Sequence, residues 1–158
     1  MGMDRASTAP ATVWLRFRSP PVALGWAESR WDRFATDEDR EHLAGDSLTY
    51  SDIHGDNVLL SGDRTWLVDW AWPTRGAAVI TPSCLAVQLI AAKHSPESAE
   101  GWVSQLEGWK EATPESIAAF ARADVGLYRW QVEARPEQEW LKAMLAATEA
   151  WAEHRGCR

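Results

Sequence analysis

Two short triplets, Ser95-Pro96-Glu97 and Thr113-Pro114-Glu115, constrain this chain more than any other feature. In each, a hydroxyl residue able to cap the first free N–H groups of a helix precedes a proline whose fixed φ suits the first helical position. An acid follows in the first turn, where the helix dipole favours it. The second triplet opens a run in which Ile117, Ala121, Val125, Tyr128 and Val132 recur at helical spacing. Leu85, Leu89 and Ala92 fit one face of an earlier helix. Pro136 is predicted to open a last one, with Trp140, Leu141, Met144, Leu145 and Trp151 turned inward. Everything after Pro82 therefore reads as helical, a bundle of about four helices.

The rest of the chain is less regular. Residues 1–21 read as loosely ordered around one apolar patch at 13–17 and break at Pro20-Pro21. Trp26, Trp31 and Phe34 are spaced as on a helix over 24–34. Thr36 is a plausible N-cap for a short acidic helix ending at Gly45. Runs 57–60 and 65–69 have β-type composition and flank Ser-Gly-Asp-Arg, a tight-turn sequence, so a hairpin is predicted there behind a polar loop at 52–56. The expected fold class is mainly α with a small β-hairpin. The loosely ordered segment covers 1–21 and one domain covers 22–158, as the length of 158 residues suits.

Composition narrows the function. The net charge of −7 argues against a partner recognised through a phosphate backbone, because such proteins carry a basic stripe. It would suit a cationic substrate, although acidic surfaces mostly serve solubility. No apolar run approaches the roughly 20 residues that span a bilayer, and no secretory signal pattern is visible. Cys84 and Cys157 give neither a disulfide framework nor a metal-binding spacing. The expectation is a cytoplasmic protein with no nucleic-acid and no membrane partner.

The chemistry is concentrated in residues 48–76, LTYSDIHGDNVLLSGDRTWLVDWAWPTRG. Asp52 is followed five residues later by Asn57, then by the predicted hairpin, then by Asp69 at its far end. Phosphoryl transfer to a hydroxyl needs a carboxylate to accept or orient the hydroxyl proton, and oxygen ligands for a Mg²⁺ that bridges nucleotide phosphates. Mg²⁺ takes one or two carboxylates and completes its octahedron with water and phosphate oxygens. This loop and hairpin supply those parts in a workable order.

The segment resembles the aminoglycoside phosphotransferase family, which shares the protein-kinase-like fold with choline kinases. The family's catalytic loop reads His-Gly-Asp-x-His-x-x-Asn, followed by a hairpin and an apolar-apolar-Asp-Trp stretch before a glycine. The matching residues here are Tyr50 to Asn57, then Leu67-Val68-Asp69-Trp70, then Gly76. The resemblance covers roughly residues 24–155, the C-terminal lobe of that fold. It implies Asp52 as catalytic base, Asn57 and Asp69 as Mg²⁺ ligands, and ATP with a hydroxylated small molecule, aminoglycoside-like or other, as partners. Tyr50 stands where the family has its loop histidine, and Thr81 stands near a position where the family often has Asp.

The family holds ATP under an N-terminal lobe, with a lysine reaching the phosphates. Here the 51 residues before Asp52 contain no lysine, and their only glycines, Gly2, Gly25 and Gly45, make no phosphate loop. The expectation is a C-lobe without its N-lobe, which a partner chain or upstream sequence would supply. Self-association over the uncovered surface, or a non-catalytic remnant that binds a partner, are the alternatives. Val13, Trp14, Leu15 and Phe17 are candidates to cover that surface.

Other residues carry competing readings. Ser51-Asp52-Ile53-His54-Gly55-Asp56 also resembles the opening motif of calcineurin-like metallophosphoesterases, but Gly62-Asp63 is followed by Arg-Thr-Trp and the later metal motifs are missing. His54 reads at least as well as an ordinary loop histidine, and Asp56 and Asp63 as turn residues. Trp70 and Trp72 read equally as site-lining or packing side chains, and Arg75 reads as the partner of a neighbouring acid rather than of a phosphate. The acidic run 37–41 reads as a solvated helix face.

Overall fold

The structure, a computed structural model, describes residues 17–18, 25–62, 64–70 and 72–157. It is mainly helical with two small antiparallel sheets. The helices are α1 (Asp37–Leu43), α2 (Ile80–Ala91), α3 (Pro96–Val103), α4 (Glu107–Lys110), α5 (Pro114–Ala134) and α6 (Glu139–His154). The strands are β1 (Phe17–Arg18), β2 (Ser47–Thr49), β3 (Val58–Ser61), β4 (Arg64–Leu67) and β5 (Thr74–Gly76). No described helix is long and apolar enough to cross a membrane.

The helix starts follow the capping chemistry. Ser95 Oγ accepts from Ser98 N–H at 3.2 Å, and Thr113 Oγ1 accepts from Ser116 N–H at 3.1 Å while Ser116 bonds back to Thr113 N–H. Thr36 makes the same reciprocal box with Asp39. The last helix starts at Glu139 rather than Pro136, and five helices follow β5 rather than about four, one of them the short α4. Among its expected inward residues Trp140 is a correction, being 55% exposed. Trp140 and Leu141 sit about 100° apart on the helix, and the inward face belongs to Leu141, Met144, Ala147, Thr148 and Trp151.

The core lies among α2, α3, α5 and α6. Trp151, Phe120, Ile80, Leu141, Val87 and Val103 are fully buried there. Burying each such side chain contributes about 1.5–3 kcal/mol. Trp31 joins this core, its ring 4.9 Å from that of Phe120, which lies 6.2 Å from Trp151. Asp39 of α1 departs from the solvated face expected for its run: it is 2% exposed and paired with Arg122 of α5. Burial alone would raise its carboxyl, but the bonds from Arg122 and Thr36 outweigh this and hold it below the usual range.

Residues 25–34 form no α-helix. Glu28 N–H donates to Arg75 O at 2.8 Å and Arg75 N–H to Trp26 O at 2.6 Å, so the segment runs along β5, and Asp32–Phe34 make a 3₁₀ turn. β2 lies between β1 and β5, with Phe17 opposite Leu48 and Leu48 opposite Arg75. Apart from Phe17–Arg18, the expected loosely ordered segment 1–21 lies outside the described residues, and so does the expected cover of Val13, Trp14 and Leu15. Gly76 permits close packing at the end of β5: a Cβ there would sit 2.7 Å from Ile80 Cδ1.

Candidate active site

β2 runs directly into the loop that carries Asp52, and Tyr50 fixes that loop from three directions. Its N–H donates to Thr81 Oγ1 at 2.8 Å, its hydroxyl donates to the Val68 carbonyl, and its ring lies 4.6 Å from that of Trp70. One buried residue therefore ties the start of the loop to α2 through its backbone N–H and to the residue before Asp69 through its side chain. Burial, helped by the nearby charges of Asp52 and Asp69, raises the phenol above its ordinary range, so it stays a neutral donor.

Asn57 closes the loop in the 3₁₀ turn Gly55–Asn57 and is buried. Its Nδ2 donates to the Asp52 carbonyl at 3.0 Å and to Asp52 Oδ2 at 3.1 Å. Both contacts use the nitrogen, which leaves Oδ1 as the ligand atom of this amide. The hairpin then pairs Val58 with Leu67 through Ser61 with Arg64, and Val68 N–H donates to Asn57 O at 3.0 Å. That register returns the chain beside Asn57 just before Asp69.

Asp69 has φ 56°, in the left-handed region that Asp tolerates better than most residues, and the chain turns out of the ladder there. Asp52 and Asp69 line one cavity of about 520 Å³. Of the three predicted site residues, these two are brought together on its wall. Asn57 stands behind Asp52 and reaches it by hydrogen bonds. His54 lies beside them, with Nε2 3.6 Å from Asp52 Oδ1 and Nδ1 3.7 Å from Asp56 Oδ2.

Sequence reasoning missed several walls of this cavity. Arg30 donates through Nη1 to Ser51 Oγ and at 2.9 Å through Nη2 to Thr74 Oγ1, and it is paired with buried Glu28. Burial pushes the Glu28 carboxyl up, but Arg30 and Thr74 outweigh it and hold it low. Trp72, Arg135 and Trp140 complete the rim. Nothing local in the sequence flags Arg30, whose partners lie up to 44 residues away. Helical spacing points Trp140 into the core, whereas it stands at this rim. Arg75 contacts Asp46, as expected of a partner for a neighbouring acid. A second hollow of about 540 Å³ lies between α5 and α6 and shares no residue with the loop or hairpin.

Among the described residues, no group of three or more His, Cys, Asp or Glu gathers to hold a metal ion. The donor set at the loop is two carboxylates and one amide oxygen, which are hard oxygen ligands in the small number Mg²⁺ takes from a protein. In donor chemistry these residues fit Mg²⁺. No family model matches the chain, and neither a curated protein nor a solved structure matches it.

Proposed function

We propose that this chain is the C-lobe of a small-molecule phosphotransferase similar to the aminoglycoside phosphotransferases, transferring the γ-phosphoryl group of ATP to a hydroxyl. The observation that carries this reading is the convergence of Asp52 and Asp69 on one cavity wall, with Asn57 held against Asp52 through its nitrogen. In this reading Asp52 accepts or orients the proton of the attacking hydroxyl. Asn57 Oδ1 and the Asp69 carboxylate are the side chains that would hold Mg²⁺. When bound, the ion neutralises charge on the nucleotide phosphates. Tyr50 keeps the two carboxylates in register by joining the loop to the Val68 carbonyl. Arg30, itself paired with Glu28, braces the loop through Ser51 and lines the same cavity as Asp52. The nucleotide-covering lobe of this fold belongs, in this reading, to sequence or a partner beyond the described residues.

Calorimetric titration of ATP into the purified chain with Mg²⁺ tests the proposal. Saturable, Mg²⁺-dependent binding that Asp69→Ala abolishes and Asp52→Asn retains is the expected result. Absence of binding, or binding indifferent to Asp69→Ala, overturns it in favour of a non-catalytic module.

A further inference from the structure

Asp39, Glu28 and Asp124 are all buried acids, and they differ in company. Asp39 pairs with Arg122 and Glu28 with Arg30. Asp124 of α5 is 3% exposed and accepts from Trp31 Nε1 at 2.9 Å, and among the described residues no cation pairs with it. A carboxylate so placed is strongly disfavoured, so the group either keeps its proton or draws a cation to itself. Burial accordingly lifts this carboxyl to about 7, although the indole bond acts the other way.

Asp124 and Arg30 are walls of one hollow of about 160 Å³, and Arg30 is the cationic side chain among the described residues that line it. The Arg30 guanidinium is divided between tasks. Nε donates to the two Glu28 oxygens at 3.0 and 3.1 Å, and Nη2 donates to Glu28 and, at 2.9 Å, to Thr74 Oγ1. Nη1 is left for Ser51 Oγ, and Ser51 precedes Asp52. The guanidinium carbon lies 5.3 Å from the centre of the Trp31 ring, the ring whose Nε1 meets Asp124. The arm that braces the Asp52 loop is therefore the one Glu28 does not hold, and it belongs to a side chain that shares a hollow with the unpaired acid.

The other groups around Asp124 offer it no cation. α2 brings Cys84 and Gln88 to the hollow, α6 brings Met144, and α5 itself brings Tyr128 and Gln131. Burial pushes the Cys84 thiol and the Tyr128 phenol up, so both stay neutral. Glu28 is spent on Arg30, and Asp52 and Asp69 line the neighbouring cavity. Asp39 of α1 is spent on Arg122. In the 3₁₀ turn, Arg33 lies over the rings of Phe34 and Trp130, and Asp32 lines a different hollow with Arg40.

We infer that Asp124 is a proton-operated restraint on the Asp52 loop. Protonated, it leaves Arg30 Nη1 on Ser51 and the loop braced. On losing its proton to solvent it draws that arm into the hollow, and Ser51 is released. Calling this a control on phosphoryl transfer rests on the phosphotransfer reading; the coupling itself does not.

The test is a proton–nitrogen NMR titration of the full chain across neutral pH, without ATP or Mg²⁺. It is run in a His54→Gln background, so that the loop histidine, which titrates in the same range, adds no signal. Expected is one shared midpoint near 7 for the Trp31 indole N–H and the Ser51 and Asp52 amides. Asp124→Asn keeps an acceptor for the indole and should abolish the transition at all three. Ser51→Ala removes only the link, so the indole should still titrate while the Asp52 amide no longer follows. A transition that survives Asp124→Asn, or an indole that does not titrate, overturns the inference. So does an indole that titrates while the loop amides stay still, or an Asp52 amide that still follows in Ser51→Ala. With neither nucleotide nor metal present, failure here leaves the phosphotransfer reading standing, and failure of ATP to bind leaves the coupling standing.

Discussion

The helical bundle and the hairpin differ in where they put their apolar side chains. In the bundle, Trp151, Phe120, Leu141 and Val103 are sealed among α2, α3, α5 and α6. On the hairpin, Leu59, Leu60 and Trp66 are 51%, 78% and 53% exposed, and only Val58 and Leu67 at its base pack against the core. A two-stranded hairpin is marginal by itself in water. The bundle therefore holds the molecule together, while the hairpin positions Asp69 through its register and its base. Stability and the candidate site are carried by different parts of one chain, joined through Tyr50.

The sharpest way to break this comparison is at Trp151. It contacts the rings of Phe120 and Trp109, and its Nε1 donates to Glu100 at 2.7 Å. Trp151→Ala is expected to cost about 3–5 kcal/mol by cavity formation alone, measured as a lower urea midpoint. A cost under about 1 kcal/mol, typical of surface sites, would mean that the bundle is not the stabilising half.

The next largest effect is a pH dependence seated in the bundle beneath the loop. Folded Asp124 keeps its proton up to about pH 7, whereas in the unfolded chain it releases it near 3.8. Between those values the folded state holds the extra proton, so this contribution falls as pH rises, by roughly 4 kcal/mol in all. Asp124→Asn retains an acceptor for Trp31 Nε1 and removes the titration. The difference between wild type and variant in urea stability should therefore slope downward from pH 4 to pH 7 and level off above. A difference that stays flat across that window would show Asp124 to be solvated.

How much of this was legible from sequence depends on the range of the cause. The caps at Thr36, Ser95 and Thr113 act over three residues, and the hairpin over about ten, so both could be read directly. Asp52, Asn57 and Asp69 could be read as a set because loop and hairpin are contiguous. The Glu28–Arg30–Thr74 cluster and the β1-β2-β5 sheet could not, since their partners are brought together only by the folded chain. Asp39 looked like one more surface acid because Arg122 lies 83 residues on. Trp140 departs from its expected place because helical spacing fixes a face to within about one residue, and neighbouring Leu141 holds the inward one.

Tyr50 is where the two regions meet, and its hydroxyl can be removed alone. Tyr50→Phe keeps the ring on Trp70 and leaves the Val68 carbonyl without that donor, at an expected cost of about 1–2 kcal/mol. If the hydroxyl holds Asp69 in place, Mg²⁺-dependent ATP affinity should fall while Asp52 is untouched. Unchanged affinity with lowered stability would make Tyr50 a packing residue and nothing more.

The smallest effect is expected at the tip of the hairpin. Leu60 pairs across the strands with Thr65 and is exposed over most of its surface. A lysine there retains an aliphatic stem, and exposed strand edges accept lysine readily. Leu60→Lys should shift stability by no more than about 0.5 kcal/mol, as surface substitutions usually do, with an unchanged denaturant slope. Any larger loss would have to come from something lying over Leu60 in solution, because a side chain already in water has little left to lose. The hairpin would then be part of a second buried layer, and the division between a stabilising bundle and a bare, site-bearing hairpin would no longer hold.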